Sequence, residues 1–252
     1  PMVVVGNLVV GGAGKTPTVM ALVRAMQRAG WRPGVISRGY GAETSKPRPV
    51  TPGALARHVG DEPLLIQRTT GVPVWVGTQR VVVARALCAA EPQVNLLISD
   101  DGLQHWALPR EVEVIVWDAR GLGNGYLLPA GLLREPWPRP AWHPYAAQNA
   151  QALHLYVGAP PKGLVLDSRR SWAVSRTLAD VALDAHGKPR SLASLQGQVV
   201  AAVAGIAQPE AFFADLRAQG LSLAQTVALP DHGDVAAWWR SLPVAVQQGV
   251  WL

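Results

Sequence analysis

Met2-Val3-Val4-Val5-Gly6-Asn7-Leu8-Val9-Val10-Gly11-Gly12-Ala13-Gly14-Lys15-Thr16 is the stretch whose reading decides the fold. Residues 2–5 are apolar and mostly β-branched, the pattern of a buried strand. A glycine-rich turn follows. Residues 17–29 then carry Val19, Leu22, Val23 and Met26 at helical spacing, with Gly30 as a stop. Glycines in such a turn let backbone N–H groups face an anion without side-chain clash. The helix start adds unpaired donors and partial positive charge. A lysine there neutralises β- and γ-phosphate charge, and the hydroxyl after it ligates magnesium. Val9, Val10, Gly11, Gly12, Ala13, Gly14, Lys15 and Thr16 meet all three demands and read as a phosphate-binding P-loop for ATP and Mg2+. Val9 stands where the usual pattern has glycine, but it lies at the start of the loop and not at the phosphate cradle.

Outward from the loop, strand and helix signals alternate. Residues 35–37, 72–76, 94–99 and 112–117 read as strands, and residues 60–70 and 79–90 as helices. That alternation predicts an α/β fold with a mostly parallel sheet flanked by helices. Pro129, Pro136, Pro138, Pro140 and Pro144 crowd the following stretch, which reads as a loop. Residues 153–157, 163–166 and 172–174 look strand-like, residues 199–204 read as a strand and residues 208–219 as a helix. The expectation is a P-loop core domain over residues 1–150 and a smaller α/β domain over residues 151–252, with a strand-hairpin linker.

Composition narrows the class. With 252 residues, 49% hydrophobic and 16% charged, the chain has ample core and none of the character of a disordered segment. The net charge of +6 favours anionic partners without choosing among them. Its arginines are spread out rather than clustered with aromatics, which argues against nucleic acid. Cys88 is the only cysteine, so no internal disulfide forms, and it reads as a small core residue on the helix over residues 79–90. The ten tryptophans are scattered and are expected to pack mostly in the cores. No apolar run approaches the ~18–20 residues of a membrane span. Pro1 lies already inside a strand and Trp251-Leu252 follow an apolar run, so both ends are expected to be cut.

Chemistry beyond the loop needs carboxylates. Asp100 and Asp101 end the strand over residues 94–99, and two adjacent acids there are costly unless a cation sits between them and the phosphates. Gln104 and His105 follow at once. A kinase also needs a base for the acceptor hydroxyl. Asp61, with Glu62 behind it, is one candidate, although on the residues alone a helix N-cap with a dipole-favoured first-turn acid is the simpler account of the pair. Asp231-His232 is another polar cluster. Arg134 could clamp a phosphate or pair with Glu135 at the surface, and Arg38 with Tyr40 occupies a similar strand-end loop.

At this point the residues resemble one family. Residues 5–17 and 32–41 are similar to the opening of the tetraacyldisaccharide 4′-kinases of lipid A synthesis. Gly60-Asp61-Glu62-Pro63, Asp100-Asp101-Gly102-Leu103-Gln104-His105, Gly123-Asn124-Gly125, Leu128-Pro129-Ala130-Gly131 and Leu133-Arg134-Glu135-Pro136 continue the series. Gly205-Ile206, Pro209, Phe212-Phe213 and Pro230-Asp231-His232 complete it in the family's order. The resemblance implies phosphorylation of the 4′-hydroxyl of a tetraacylated glucosamine disaccharide 1-phosphate at the cytoplasmic face of the bacterial inner membrane. It implies Asp61 as base assisted by His232, on two domains whose closure would assemble them only around substrate. Lys15 keeps its P-loop role, and Thr16, Asp100 and Asp101 lie on the magnesium side. Arg38, Glu62, Gln104, His105, Arg134 and Glu135 are candidates for substrate contacts. The partners implied are an anionic glycolipid and the membrane surface, reached through a segment absent from this sequence, with the protein a monomer. The family normally begins with a membrane-binding helix and continues past residue 252.

Two other classes fit less well. A P-loop GTPase switch would carry an Asn-Lys-x-Asp guanine-reading segment, which is absent, although Asp118-Ala119-Arg120-Gly121 mimics a switch spacing. A metal-insertion chaperone would need clustered histidines or cysteines, and the six histidines are dispersed.

Overall fold

The computed structural model describes residues 1–41, 46–145, 151–161, 163–184, 187–231, 233, 235–243, 246 and 249–252. They form two compact units, Pro1–Ser175 and Arg176–Leu252. In the first unit β1 (Met2–Gly6) leads through α1 (Lys15–Arg28) to β2 (Pro33–Ser37). The short β3 (Arg48–Pro49), one turn of α2 (Ala56–Val59), α3 (Asp61–Thr70), β4 (Val74–Val76), α4 (Arg80–Ala90) and β5 (Leu96–Asp100) follow. Then come β6 (Val112–Trp117), β7 (Leu153–Val157) and β8 (Ser171–Val174). They build one sheet in the order β3-β4-β2-β5-β1-β6-β7-β8, parallel throughout except for the β3–β4 pair.

The sheet is covered on both faces, as a parallel sheet must be. Successive side chains of a strand point to opposite faces, and the two cores sort accordingly. Val3 and Val5 of β1, Val35 of β2, Ile98 of β5 and Val114 and Val116 of β6 join Val19 and Val23 of α1 and Leu64 and Ile66 of α3. Met2, Val4, Ile36, Ile115 and Trp117 turn the other way, onto Val83 and Leu87 of α4. With every residue of β1 save Val3 buried, the strand is almost wholly apolar, which is why continuous runs rather than alternation marked these strands.

The order of strands locates the site. From β1 the chain moves to β2, leaving a gap that β5 fills, and β6 then pairs on the other side of β1. The crevice beyond the carboxyl ends of β5, β1 and β6 is therefore a topological switch point, where open α/β sheets bind ligands.

Several expectations need correction. The first unit extends past the expected boundary at residue 150, because the free edge of β6 takes up β7 and then β8 in parallel. That junction is fixed by Trp117, whose Nε1–H donates to His154 Nδ1 at 3.0 Å. Burial, then the charge of Arg139, pulls the His154 imidazole down to a pKa of about 4, so it stays a neutral acceptor. No strand forms over residues 163–166, where Val165 is fully exposed. Cys88 is exposed rather than buried. The inward face of α4 runs through Arg80, Val83, Ala84 and Leu87, and Cys88 falls one step around the helix from it. Among the tryptophans only Trp117 is fully buried, and Trp31, Trp106, Trp142 and Trp172 are exposed.

The second unit carries a hairpin of β9 (Val181–Leu183) and β10 (Pro189–Ser191). After a 3-10 turn at Leu192–Leu195, β11 (Val200–Ala204), α5 (Pro209–Ala218) and β12 (Leu223–Ala228) make a βαβ unit. α6 (Val235–Ser241) precedes β13 (Val250–Trp251), which pairs with the other edge of β11. Ala202, Ala204, Phe213, Leu216, Leu192 and Leu221 form its own small core.

Candidate active site

The phosphate loop leaves β1 at Gly6 and enters α1 at Lys15. Gly14 caps the helix in the left-handed region at φ 85°, and no side chain caps α1 among the described residues. The first-turn N–H groups are thus left for a ligand. The outgoing limb is pinned from two sides. The fully buried Asn7 donates from Nδ2 to the Val9 carbonyl at 2.6 Å, and its Oδ1 accepts from Lys15 Nζ at 3.2 Å. The loop over residues 127–134 holds the other side, with Val10 N–H donating to the Leu132 carbonyl at 2.9 Å and Arg134 N–H to Leu8 at 2.8 Å. A valine at position 9 costs nothing here, since its side chain is wholly buried against Leu8, Leu133 and their neighbours.

The acids arrive from β5 and α3. Asp100 stands in register with Val5 of β1 and is 1% exposed. Ser37 Oγ donates to its Oδ2 at 3.2 Å, while Oδ1 is buried without a hydrogen-bond partner. Burial first, then the charges of Glu62 and Asp101, push the Asp100 carboxyl up to about 7, against the pull of Lys15 and the Ser37 hydroxyl. Arg80, at the start of α4, donates to the Asp100 carbonyl at 3.3 Å. Burial drags its guanidinium down to about 10 despite Asp100 and Asp101. The next residue, Asp101, is the one non-glycine residue at positive φ among the described residues, 48°. That conformation costs roughly 1–2 kcal/mol. It brings the carboxylate to Arg134 Nη1 at 2.7 Å and Lys15 Nζ at 3.9 Å. Gln104 closes the ring, donating to the Asn7 carbonyl at 3.3 Å and accepting from Arg134 at 3.4 Å. On the α3 side, Thr16 Oγ1 donates to Glu62 Oε1 at 2.9 Å.

These residues suit magnesium. The ion takes one or two carboxylates with water and phosphate oxygens rather than an all-protein cage. No group of three acidic, histidine or cysteine side chains is arranged to hold a metal alone among the described residues. The orphaned Asp100 Oδ1 and the Thr16 hydroxyl are the atoms that fit it.

The other expected residues distribute unevenly. Asp61 begins α3 at the surface, one residue from the Glu62 that reaches Thr16. Arg38 lies exposed beyond β2, close enough to Arg80 to lower its pKa. His105 is half-buried and its imidazole is pulled down by burial, then by Arg80 and Arg110. Glu135 turns away from Arg134. It is 2% exposed, accepts from Arg139 at 3.1 and 3.3 Å, and sits 3.3 Å from His143. Its side chain is committed to a buried network and not to a substrate. His232 lies outside the described residues. Sequence reasoning missed Asn7, Ser37 and Arg80. The polar Asn7 inside an apolar run carried a signal, whereas nothing marks Ser37 or Arg80 before the sheet is assembled.

Fold and site together define an α/β protein of the P-loop class, with a glycine-rich loop, a lysine, a hydroxyl and paired acids brought together at the start of α1. The sequence model of the tetraacyldisaccharide-1-P 4′-kinases matches residues 1–240. The tetraacyldisaccharide 4′-kinase of Acidovorax sp. (strain JS42) is 51% identical over 240 residues, 95% of this chain and 67% of that protein. That of Delftia acidovorans is 46% identical over 241 residues, with the same coverage. The chain thus spans about two thirds of the length of these relatives. The crystal structure of an "apo" form of LpxK from Aquifex aeolicus in complex with ATP superposes with a TM-score of 0.77. It covers all of this chain and 76% of that one, at 24% identity, and so supports the fold. The chain belongs to the tetraacyldisaccharide 4′-kinase family, a family of phosphotransferases.

Proposed function

We propose that this chain carries the site that transfers the γ-phosphoryl group of ATP to the 4′-hydroxyl of a tetraacylated glucosamine disaccharide 1-phosphate, giving the lipid A precursor. Family membership supports the acceptor. The observation that carries the chemistry is the meeting of Lys15, Thr16, Glu62 and Asp101 within a few ångströms of the uncapped start of α1.

The α1 N-terminus receives the phosphate chain, and Lys15 neutralises its outer charge. Magnesium, when bound on Thr16 and Asp100, would screen the β- and γ-oxygens. Arg134, already on Asp101, is poised to exchange that carboxylate for a phosphate oxygen. In transfer, the bond from the γ-phosphorus to the bridging oxygen of ADP breaks and one to the 4′-oxygen forms. The hydroxyl proton passes to the Asp61 carboxylate, supported by its place at the mouth of the site beside Glu62, with His232 assisting as the family resemblance implies. Peripheral contact with the inner membrane belongs to the same proposal. It is supported by the exposed Tyr126, Leu127 and Leu128 on the loop that pins the phosphate loop, and no helix among the described residues is long and apolar enough to cross a membrane.

The test is a phosphate-transfer assay on the full-length protein with ATP, Mg2+ and tetraacyl disaccharide 1-phosphate. Lysine-dependent conversion to the bis-phosphorylated lipid is expected, with Asp61→Asn lowering kcat about 10²–10⁴-fold. Near-normal turnover by Asp61→Asn or His232→Ala would remove that residue from the mechanism, and transfer that ignores Lys15→Ala would remove the reading itself.

A further inference from the structure

Arg120 follows β6, on the side of β1 away from β5. Gly6 is in register with Ile115, so the chain leaving β6 after Trp117 emerges beside the chain leaving β1 for the phosphate loop. Asp118 fixes what comes next. Its carboxylate accepts from the Arg120 backbone N–H at 2.9 Å and from Nε at 3.0 and 3.1 Å, and Nη2 lies against the same group. Nε and Nη2 are thereby occupied. Nη1 has no hydrogen-bond partner among the described residues. It is also the atom nearest to the position a Cβ on Gly11 would take, at 3.4 Å, with Nη2 at 3.5 Å.

A plain surface ion pair between residues two apart would account for the fork. It does not account for the direction of the third nitrogen, nor for its nearness to a loop residue held at φ 93° and open to solvent. The Arg120 side chain is 36% exposed, so it is accessible to a ligand while Asp118 sets the plane of its guanidinium. Lys15 flanks the other side of the same limb. Its ammonium folds back onto Asn7 and Asp101, at the β1–β5 side of the crevice. A phosphate chain with its inner groups on the α1 N-terminus and its outer group beside Lys15 would run its terminal phosphate over residues 10–12. One cation would then stand on each side of it.

We infer that Arg120 is a second cation of the nucleotide site, donating from Nη1 to the terminal phosphate of ATP as charge shifts onto its oxygens during transfer. This rests on the ATP-dependent transfer proposed above. Arginine is suited to the task because it keeps its proton throughout and offers donors in a fixed plane. In other P-loop enzymes an arginine finger that reaches the transferring phosphate contributes about 10³–10⁵-fold in kcat. Asp118 is then a positioning residue, holding the fork without touching the phosphate.

The experiment compares wild type, Arg120→Ala, Arg120→Lys, Asp118→Asn and Lys15→Ala in the full-length protein. It reads kcat, KM for ATP and for the tetraacyl disaccharide 1-phosphate, melting temperature, and binding of ADP and a non-hydrolysable ATP analogue. Arg120→Ala is expected to lower kcat about 10²-fold or more and to weaken the analogue about tenfold relative to ADP. Melting temperature should hold, Arg120→Lys should fall between, and Asp118→Asn should cost kcat about tenfold through lost positioning. Unchanged kcat and unchanged preference for the analogue over ADP in Arg120→Ala would overturn the assignment. So would a raised KM for the lipid alone, which would give the arginine to the acceptor's own phosphate. If Lys15→Ala abolishes transfer while Arg120→Ala is silent, only the Arg120 assignment falls. If both are silent, the ATP-dependent reading falls with it.

Discussion

Two groups of carboxylates in the first unit stand in opposite electrostatic circumstances, and Arg134 and Glu135, adjacent in sequence, belong one to each. Glu113 and Glu135 are 2% exposed and lie among Arg110, Arg139 and His143. Glu113 accepts from both arginines and Glu135 Oε1 from Arg139, while Glu135 Oε2 makes no hydrogen bond and lies 3.3 Å from His143 Nε2, so both carboxylates have a guanidinium beside them inside the protein. Asp100 is matched poorly, whereas Asp101 pairs with Arg134 and Glu62 accepts from the neutral Thr16 hydroxyl. Asp100 keeps a buried oxygen without a partner and a carboxyl pushed up to about 7, and its nearest cations are shared with its neighbours. Burying charge is tolerable when it is paired and costly when it is not. The arginine-paired cluster therefore suits a structural role, and the underpaired Asp100 suits the ligand site proposed above. Arg139 and Glu113 tie the proline-rich loop to β6, while Arg134 is left to face the crevice.

The sharpest way to break this contrast is Glu113→Gln. It should cost about 3–5 kcal/mol of stability by leaving Arg110 and Arg139 underpaired, measured by denaturant unfolding, and molecules that still fold should bind nucleotide normally. Loss of binding without loss of stability would show that the two clusters do not divide as described. Asp100→Asn should do the reverse, with transfer reduced on the order of 10²-fold and stability at neutral pH unchanged or raised. Its pH signature has a definite sign. The folded-state pKa of Asp100 lies above its ordinary 3.8, at about 7. Its contribution to stability is therefore fully present below pH ~4 and is lost as pH rises through about 7, a change of at most a few kcal/mol. Unfolding without nucleotide or metal, followed across that range, should show the decline in wild type and a flatter profile in Asp100→Asn. The mildest expectation concerns Arg134→Ala. Its pair with the one-third-exposed Asp101 is solvent-screened, so stability should change by no more than about 1 kcal/mol. KM for ATP should nonetheless rise about tenfold. A large stability loss there would place Arg134 with the structural cluster instead.

Local features were legible in proportion to how local their causes are. The phosphate loop was readable because strand, glycine turn and helix start lie within fifteen consecutive residues and their chemistry depends on backbone geometry there. β6 and β7 were readable to the residue, since each is a contiguous run of strand-forming residues bounded by turns or loop. Cys88 was misplaced because its side of α4 depends on which stripe packs against β2 and β4. The burial of Glu135, the reach of Glu62 to Thr16 and the approach of Arg120 to Gly11 left no sequence signal. Each joins residues far apart in the chain or turns one of two neighbours inward.

The sequence by itself determined that this protein is an α/β P-loop chain and that its motifs in order match one kinase family, and it pointed to residues 9–16 as the proposed phosphate cradle, with Lys15 and Thr16 serving it. Those properties follow from spacing along the backbone. Only the tertiary structure decided that β7 and β8 complete the first sheet, that Asp100 is an unmatched buried acid, and that Arg134 and Glu135 part company. The physical reason is that charge is satisfied or left wanting by neighbours in space, and strand order across the sheet chooses those neighbours.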